Sequence, residues 1–143
     1  MNVKTILATK GGTIISIEPT ATLAAAAKLL ATHRIGAVVI LGAGGRLAGI
    51  LSERDIVRAL AQHGAAALDV PVGQVMTRTV TTCGEVDSVA SVMERMTAGK
   101  FRHMPVVEKD QLVGLVSIGD VVKQRVDEIE RESEAMRDYI RSA

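Results

Sequence analysis

The chain has 143 residues, enough for one domain or for two small repeats that share a core. Its formal net charge is +1 and its aromatic residues are one Phe and one Tyr, so it lacks both the charge and the stacking surfaces with which proteins bind nucleic acid. Cys83 is the single cysteine, which excludes an internal disulfide and predicts a reducing, cytoplasmic location.

The first half of the chain predicts the element order β-α-β-β-α. A β-branched strand is expected over 13–19, and a helix follows over 20–33, where apolar residues recur at the spacing of one helix face. A hairpin with the glycine-rich turn GAGG is expected over 37–51, and a second helix over 52–64.

The most apolar stretch of the chain lies in this hairpin. Residues 35–51 contain Arg46 and are interrupted by glycines, and they are fewer than the ~20 apolar residues of a spanning helix. We therefore expect no membrane partner.

The second half repeats the same order. A strand is expected over 79–82, a helix over 86–99 and a hairpin over 104–116, and the last helix begins at Ser117. A repeat of about 60 residues buries its apolar faces poorly when alone, so we expect the two halves to pack against each other.

The last helix continues beyond the repeat and carries a heptad-like pattern. Three interpretations are open: a capping helix on its own domain, a helix that pairs with a second chain, or a charged end that frays. The residues of the pattern are Val122, Val126, Ile129, Ser133, Met136 and Ile140.

One motif occurs at the start of the last helix of each half. The sequences GILSERDIV and GLVSIGDVV place Ser52 and Asp55 in the same context as Ser117 and Asp120. A serine that follows a strand and opens a helix is a natural N-cap, and an acidic residue three positions later completes a capping box. Helix capping alone therefore explains the pattern.

The same turns also suit a ligand. A strand-to-helix junction presents free backbone N–H groups, and a carboxylate there offers two acceptor oxygens to the adjacent hydroxyls of a ribose. Phosphate groups require separate cations, because a carboxylate repels them. The candidate phosphate-binding residues are Arg102, His103, Lys10, Arg54 and Arg78, with Arg58 and Lys123 as further candidates.

Together with FRHMPVV and QVMTR, the repeated motifs resemble a pair of cystathionine β-synthase (CBS) domains, also called a Bateman module. The resemblance covers residues 10–125. It implies an α/β (α+β) fold in which two β-α-β-β-α repeats pack as a pseudo-two-fold pair, with an extended C-terminal helix. The expected segments are a first repeat over 8–64, a linker over 65–76, a second repeat over 77–126 and a helical extension over 127–143.

The resemblance further implies two clefts that bind AMP, ATP or NAD(H), and in some members S-adenosylmethionine. It implies that Asp55 and Asp120 hold the ribose hydroxyls, with Ser52 and Ser117 beside them. The residues expected to form the adenine pocket and its walls are Thr13, Ile14, Ile15, Ile35, Gly36, Ala37, Val80, Thr81, Met104, Pro105, Ile118 and Gly119.

The two predicted clefts are not equivalent. Arg102 and His103 match a basic pair that reaches phosphate in many members of the family. Aligning the halves places Ala37 opposite Pro105 and Ile35 opposite His103, so the first half lacks the second member of that pair. We therefore expect the clefts to differ in affinity or in ligand.

The predicted function is a regulatory module that binds an adenine nucleotide and acts as an energy or redox sensor, through a homodimer and an effector protein in trans. The alternative is a ligand-free dimerisation and protein-docking module. The sequence contains no evident set of nucleophile, base and orienting group, and no cluster with metal-ligand spacing. We therefore expect neither an enzyme nor a metal site.

Overall fold

The computed structural model describes residues 1–11 and 13–142. Gly12 and Ala143, which fall in the predicted first repeat and in the predicted extension, lie outside the described residues. The chain divides into two compact units. We call them the Ser52 unit, residues 13–81 and 108–113, and the Ser117 unit, the described residues of 1–12, 82–107 and 114–143.

The Ser52 unit contains a three-stranded sheet with the order β1-β2-β3. Strand β1 is parallel to β2, and β2 is antiparallel to β3 with a bulge between Ile40 and Leu41. The elements of this unit, in chain order, are β1 (Ser16–Ile17), α2 (Leu23–His33), β2 (Ala37–Leu41), β3 (Leu47–Ser52) and α3 (Glu53–His63).

The core of the Ser52 unit forms between this sheet and the inner faces of α2 and α3. Val38, Ile40 and Leu51 of the sheet are fully buried, and they pack in one cluster with Leu23 and Leu30 of α2. After α3 the chain makes two short 3-10 turns, Gly64–Asp69 and Val72–Gln74, which add Ala67 and Val72 to the same cluster.

The remaining elements come from two parts of the chain, the N-terminus and the residues after 82. Strands β4 and β5 form a two-stranded sheet. The buried apolar residues of the Ser117 unit include Val3, Ile6, Val92, Met96 and Val116. The elements are α1 (Val3–Lys10), α4 (Val89–Gly99), β4 (His103–Glu108), β5 (Gln111–Ser117) and α5 (Ile118–Ser142).

The helices and hairpins agree with the sequence prediction, but the first strand of each half does not. The run over 13–19 forms a strand of only two residues, and 79–82 forms none. In the second half the equivalent contact is a single parallel bridge between Cys83 and Val106. β-branched residues favour extended backbone, but a strand is formed only where that backbone also makes hydrogen bonds with a neighbouring strand.

Helix α1 was not predicted from the sequence. Asn2 caps its N-terminus by accepting a hydrogen bond from the backbone N–H of Thr5 through its side chain. Val3 donates to the backbone oxygen of Asp87, and Lys4 donates to that of Glu85. These bonds hold α1 in the Ser117 unit.

Two glycines at the same position of the repeat allow a neighbouring segment to lie close to a strand. A Cβ at Gly49 in β3 would lie 2.7 Å from the backbone oxygen of Thr77 and 2.7 Å from the sulfur of Met76. A Cβ at Gly114 in β5 would lie 2.6 Å from a terminal methyl of Leu7 in α1. The shared glycine of the two motifs therefore makes room for a different segment in each unit.

The architecture confirms the predicted mixed α/β fold class with an extended C-terminal helix. Among the residues that the structure describes, no helix combines the length and the apolar character required to cross a membrane.

Candidate functional site

The Ser52 turn joins β3 to α3 through a complete capping box. The hydroxyl of Ser52 accepts a hydrogen bond from the backbone N–H of Asp55 at 3.4 Å. In return, Oδ2 of Asp55 accepts from the backbone N–H of Ser52 at 2.9 Å and from its hydroxyl at 3.2 Å. The nearest cation, Nη1 of Arg58, is 3.8 Å from Oδ1 of Asp55. The geometry confirms capping and leaves Oδ1 weakly engaged.

The Ser117 turn joins β5 to α5 with the same backbone geometry. Oδ2 of Asp120 accepts from the backbone N–H of Ser117 at 2.9 Å, and the Ser117 hydroxyl accepts from the N–H of Asp120 at 3.2 Å. Here a lysine joins the turn: Nζ of Lys10 donates to Oδ2 of Asp120 at 2.7 Å and to the backbone oxygen of Leu115 at 2.8 Å. The carboxylate of this turn is therefore neutralised by α1.

The two carboxylates differ in their electrostatic surroundings as a result. Burial raises the pKa of Asp120, but the hydrogen bond and charge of Lys10, with the hydrogen bonds from Ser117, outweigh it and hold the pKa below its ordinary value. The side chain of Asp120 is 26% exposed, so solvent still reaches the carboxylate. Asp120 is therefore a charged, partly accessible acceptor at neutral pH.

Two backbone hydrogen bonds show which residues lie beside each turn. The N–H of Glu53 donates to the oxygen of Gly36 at 2.9 Å, and the N–H of Ile118 donates to the oxygen of Arg102 at 2.7 Å. Glu53 and Ile118 each follow the serine of their motif. The pairing makes Gly36 the structural equivalent of Arg102.

This equivalence corrects the sequence alignment of the halves. With Gly36 matching Arg102, Ala37 matches His103 and not Pro105, and Ile35 matches Phe101 and not His103. The alignment from sequence was wrong by two residues because it placed the similar runs AVV (37–39) and PVV (105–107) on each other, whereas the ends of α2 at His33 and of α4 at Gly99 agree with the equivalence of Gly36 and Arg102. The Ser52 turn therefore lacks both members of the basic pair.

The predicted wall residues of the first cleft all lie in the Ser52 unit. Ile35 and Gly36 line a shallow, mainly apolar depression of about 510 Å³ with Glu53 and Ile56. Ala37 is buried and pairs with Ser52 across β2 and β3. The predicted first-strand residues of this cleft are Thr13, which is exposed, and Ile14 and Ile15, which are half-buried.

The predicted wall residues of the second cleft are divided between the units. Met104 and Pro105 are buried in β4, whereas Ile118 is half-buried and Gly119 exposed at the start of α5. Val80 and Thr81 belong to the Ser52 unit. Only part of this predicted set therefore lies in the Ser117 unit, and the roles of all these residues stay predictions.

The predicted phosphate-binding residues lie in different places. Lys10 contacts Asp120, and Arg102 is exposed beside the Ser117 turn, with the half-buried His103 next to it at the start of β4. Arg54 is exposed on α3, and Nη2 of Arg78 donates to the backbone oxygen of Gly73 at 2.8 Å. Of the predicted phosphate-binding residues, Lys10, Arg102 and His103 therefore lie in the Ser117 unit, whereas Arg34, which lines the depression with Glu53, and Arg58 are cations near the Ser52 turn.

The role of α1 was missed by the sequence prediction. Lys10 was expected to bind phosphate, and nothing local in the sequence indicates that it contacts Asp120, a residue 110 positions away. A signal was nevertheless present in the repeat. A glycine at the same position of both motifs indicates that another segment lies close to the strand there. In the described part of the chain, no group of three or more acidic, His or Cys residues is placed to hold a metal ion.

Comparison with known proteins places the chain in a family. The family model of the CBS domain matches it twice, over residues 3–62 and 72–127. A mitochondrial CBS domain-containing protein of Arabidopsis thaliana, CBSX3, is 36% identical over 120 residues, and an uncharacterised 17.7 kDa protein of Acidianus ambivalens is 34% identical over 112 residues. The matches cover 80% and 78% of this chain, and 58% and 66% of those relatives.

Solved structures agree with the family match. A CBS-domain containing protein from Agrobacterium tumefaciens is 44% identical, with a TM-score of 0.84 over 87% of this chain and 92% of that one. The CBS domain pair of protein MJ0100, solved in complex with 5′-methylthioadenosine and S-adenosyl-L-methionine, is 29% identical, with a TM-score of 0.79 over 90% of this chain and 98% of that one. With two matched domains and these relatives, the chain belongs to the CBS-domain family as a CBS-domain pair.

Proposed function

We propose that the chain is a regulatory module that binds adenosine-containing ligands, with Asp55 and Asp120 as its ribose acceptors. The observation that carries the proposal is the pair of matching turns, each of which presents a carboxylate beside a helix N-terminus. In both turns Oδ2 serves the helix cap. Oδ1 is therefore the oxygen that accepts from a ribose hydroxyl.

The ligand class is supported by one structural neighbour. The MJ0100 domain pair binds two adenosine derivatives. The adenosine moiety is common to these compounds and to AMP, ATP and NAD(H), which are the ligands we propose for this chain.

The basic pair favours the Ser117 turn as the site of the phosphate-bearing ligand. Lys10, Arg102 and His103 lie in that unit, and Arg102 is joined to the turn by a backbone hydrogen bond. The Ser52 turn has Gly36 and Ala37 at the positions of the basic pair. Its nearby cations are Arg34, which lines the depression with Glu53, and Arg58, so a phosphate-bearing ligand there would have to use these arginines in place of the basic pair.

In the cell, the module acts as an energy or redox sensor in the cytoplasm. Ligand binding favours one conformation of a homodimer, and an effector protein in trans recognises that conformation.

A thermal-unfolding series tests the proposal. The full chain is melted with AMP, ADP, ATP, NAD, NADH and S-adenosylmethionine, after bound nucleotide has been removed. A ligand at 100 times its Kd adds about 2.7 kcal/mol, which raises the Tm by roughly 5–10 °C for a domain of this size. We expect a selective rise with a phosphate-bearing nucleotide.

Two variants identify the binding residues. Asp120→Asn is expected to remove most of the rise with that nucleotide, and Asp55→Asn to remove less of it, because asparagine keeps a capping oxygen but loses the charge. Asp138→Asn, on an exposed part of α5, is the matched control and is expected to leave the rise unchanged. A rise that survives both motif variants would refute the residue assignment.

A second function has one observation in its favour. The capping box of the Ser52 turn already satisfies both residues of the motif, so the carboxylate has a structural role without any ligand. The alternative is a ligand-free dimerisation and docking module. Flat melts with all six ligands would overturn the proposed function and favour this alternative.

A further inference from the structure

Helix α5 has one side that packs on its own unit and another that is uncovered. Val121 and Gln124 are buried, and Glu128 is 13% exposed and forms an ion pair with the N-terminal amine. A second row of side chains, which we call the α5 seam, lies on the other side. It consists of Val122, Val126, Ile129, Ser133, Met136 and Ile140.

The apolar members of the α5 seam are exposed along its whole length. Val122 is 43% exposed and Val126 45%, and the exposed fraction rises to 60% at Met136 and 65% at Ile140. All described residues from Ile129 onward are exposed. Most of the stability of a helix in a protein comes from packing of its apolar face, so a partner on the seam would stabilise this part of α5.

The spacing of the seam is that of a two-stranded coiled coil. Val126, Ser133 and Ile140 occupy a positions, and Val122, Ile129 and Met136 occupy d positions. The seam therefore presents alternating a and d layers that a second helix of the same sequence can complete.

The charges beside the seam favour a parallel partner in the same register. In a parallel pair, a g residue faces the e residue five positions later on the partner. Glu132 at g then faces Arg137 of the second copy, and Arg125 at g faces Glu130 of the second copy. Arg125 also donates to Glu128 of its own chain at 2.9 Å, so the Glu132 pair carries most of the argument.

An antiparallel partner that covers the whole seam brings like charges together. In that arrangement e faces e and g faces g, which places Glu130 opposite Glu130 and Glu132 opposite Glu132. An antiparallel overlap shifted by one heptad pairs Lys123 with Glu130 in one direction and Glu130 with Arg137 in the other. The first shift leaves Ile140 without a partner layer, and the second leaves Val122 and Val126 without one, so neither covers the whole seam.

From these observations we propose that the α5 seam pairs with the α5 seam of a second copy as a parallel, in-register coiled coil over residues 122–140. The proposal does not rest on the proposed function, because it is argued from the spacing, exposure and charges of the seam. It gives the chain a self-association surface.

Cysteine crosslinking of the full chain tests the direction and register. Ser133→Cys places a thiol at an a position, where it faces its own copy in a parallel pair, whereas residue 133 faces residue 129 in the antiparallel pair that covers the seam. We expect oxidation to link most of this variant as a covalent dimer. Arg131→Cys, on the outer side of the helix, is the matched control and is expected to stay uncrosslinked.

The native cysteine does not interfere, because Cys83 is 4% exposed. The wild-type chain, oxidised in the same way, measures the background of crosslinking through Cys83. Equal crosslinking of the two variants, or none in Ser133→Cys, would refute the parallel register.

Light scattering on the purified chain tests the pairing itself. We expect the wild-type chain to have the mass of a dimer, and the double variant Ile129→Asp and Met136→Asp to have that of a monomer. Both positions are exposed, so the change does not disturb the folded unit. Arg131→Asp is the control and is expected to stay dimeric. A monomeric wild-type chain, or a double variant that stays dimeric, would overturn the proposal.

Discussion

The Ser52 and Ser117 turns have the same capping motif but different neighbours. In the Ser117 unit, Leu7 of α1 lies against Gly114, and Lys10 from the same helix binds Asp120. In the Ser52 unit, the segment Met76–Thr77 lies against the equivalent glycine, and Thr77 exchanges two backbone hydrogen bonds with Ile50.

This difference shows that the motif determines the local backbone and a distant segment determines the charge of the site. A helical segment brings a lysine within 2.7 Å of its carboxylate. An extended segment brings no cation, because Arg78 donates to Gly73 instead. The two turns are therefore one structural element used in two electrostatic settings.

The largest effect that tests this comparison is expected at the two glycines. Gly49→Ala places a methyl group 2.7 Å from the backbone oxygen of Thr77, which cannot move without breaking its bond to Ile50. We expect a loss of about 2–3 kcal/mol in the free energy of unfolding. Gly114→Ala meets only a terminal methyl of Leu7, which can rotate away, so we expect a loss of about 1 kcal/mol or less.

Urea unfolding of the two variants and the wild-type chain measures this difference. Alanine lowers the entropy of the unfolded chain similarly at both positions, so the comparison isolates the contact. Equal losses at the two glycines would contradict the distinction between a backbone neighbour and a flexible side chain.

The sequence predicted the local parts of this arrangement. The Ser-x-x-Asp spacing predicted both helix starts and both caps, because capping depends on residues three positions apart. The end of α3 at Gly64 and the hairpins also follow from local patterns.

The non-local parts could not be predicted in this way. The contact of Lys10 with Asp120 depends on where α1 packs, and the equivalence of Gly36 with Arg102 depends on strand register. Both are set by contacts between residues far apart in the chain, and a pattern within one segment does not encode them. The exposed seam of α5 was visible as a heptad pattern, but only the structure shows that it is uncovered.

The next largest effect is expected from removing the lysine. Lys10→Met keeps an aliphatic side chain but deletes the ion pair with Asp120 and the bond to Leu115. Because Lys10 is 39% exposed, solvent screens the pair, and we expect a loss of about 1 kcal/mol in unfolding free energy at pH 7. Unfolding in urea at low and high salt measures it, with a smaller loss expected at high salt.

Acid pH is the control for this loss. The pKa of Asp120 is lowered in the folded chain, so its contribution to stability is complete above its unfolded pKa of about 4 and disappears as the pH falls through the folded value. The difference between Lys10→Met and the wild-type chain is therefore expected to shrink below about pH 4. A difference that stays constant down to pH 2 would show that the lysine acts through packing and not through the carboxylate.

The smallest effect is expected at the other turn. Nη1 of Arg58 lies 3.8 Å from Oδ1 of Asp55, and the arginine side chain is 68% exposed. An exposed pair at this distance contributes little, so Arg58→Met is expected to change the unfolding free energy by no more than about 0.3 kcal/mol. The same urea series measures it beside Lys10→Met.

A loss as large as that of the lysine variant would mean that Asp55 is also neutralised by a neighbouring cation, and the two turns would then be electrostatically equivalent. A negligible loss leaves Oδ1 of Asp55 as an acceptor that a ribose hydroxyl can reach without displacing a strong ion pair, whereas a ligand at Asp120 has to share that carboxylate with Lys10.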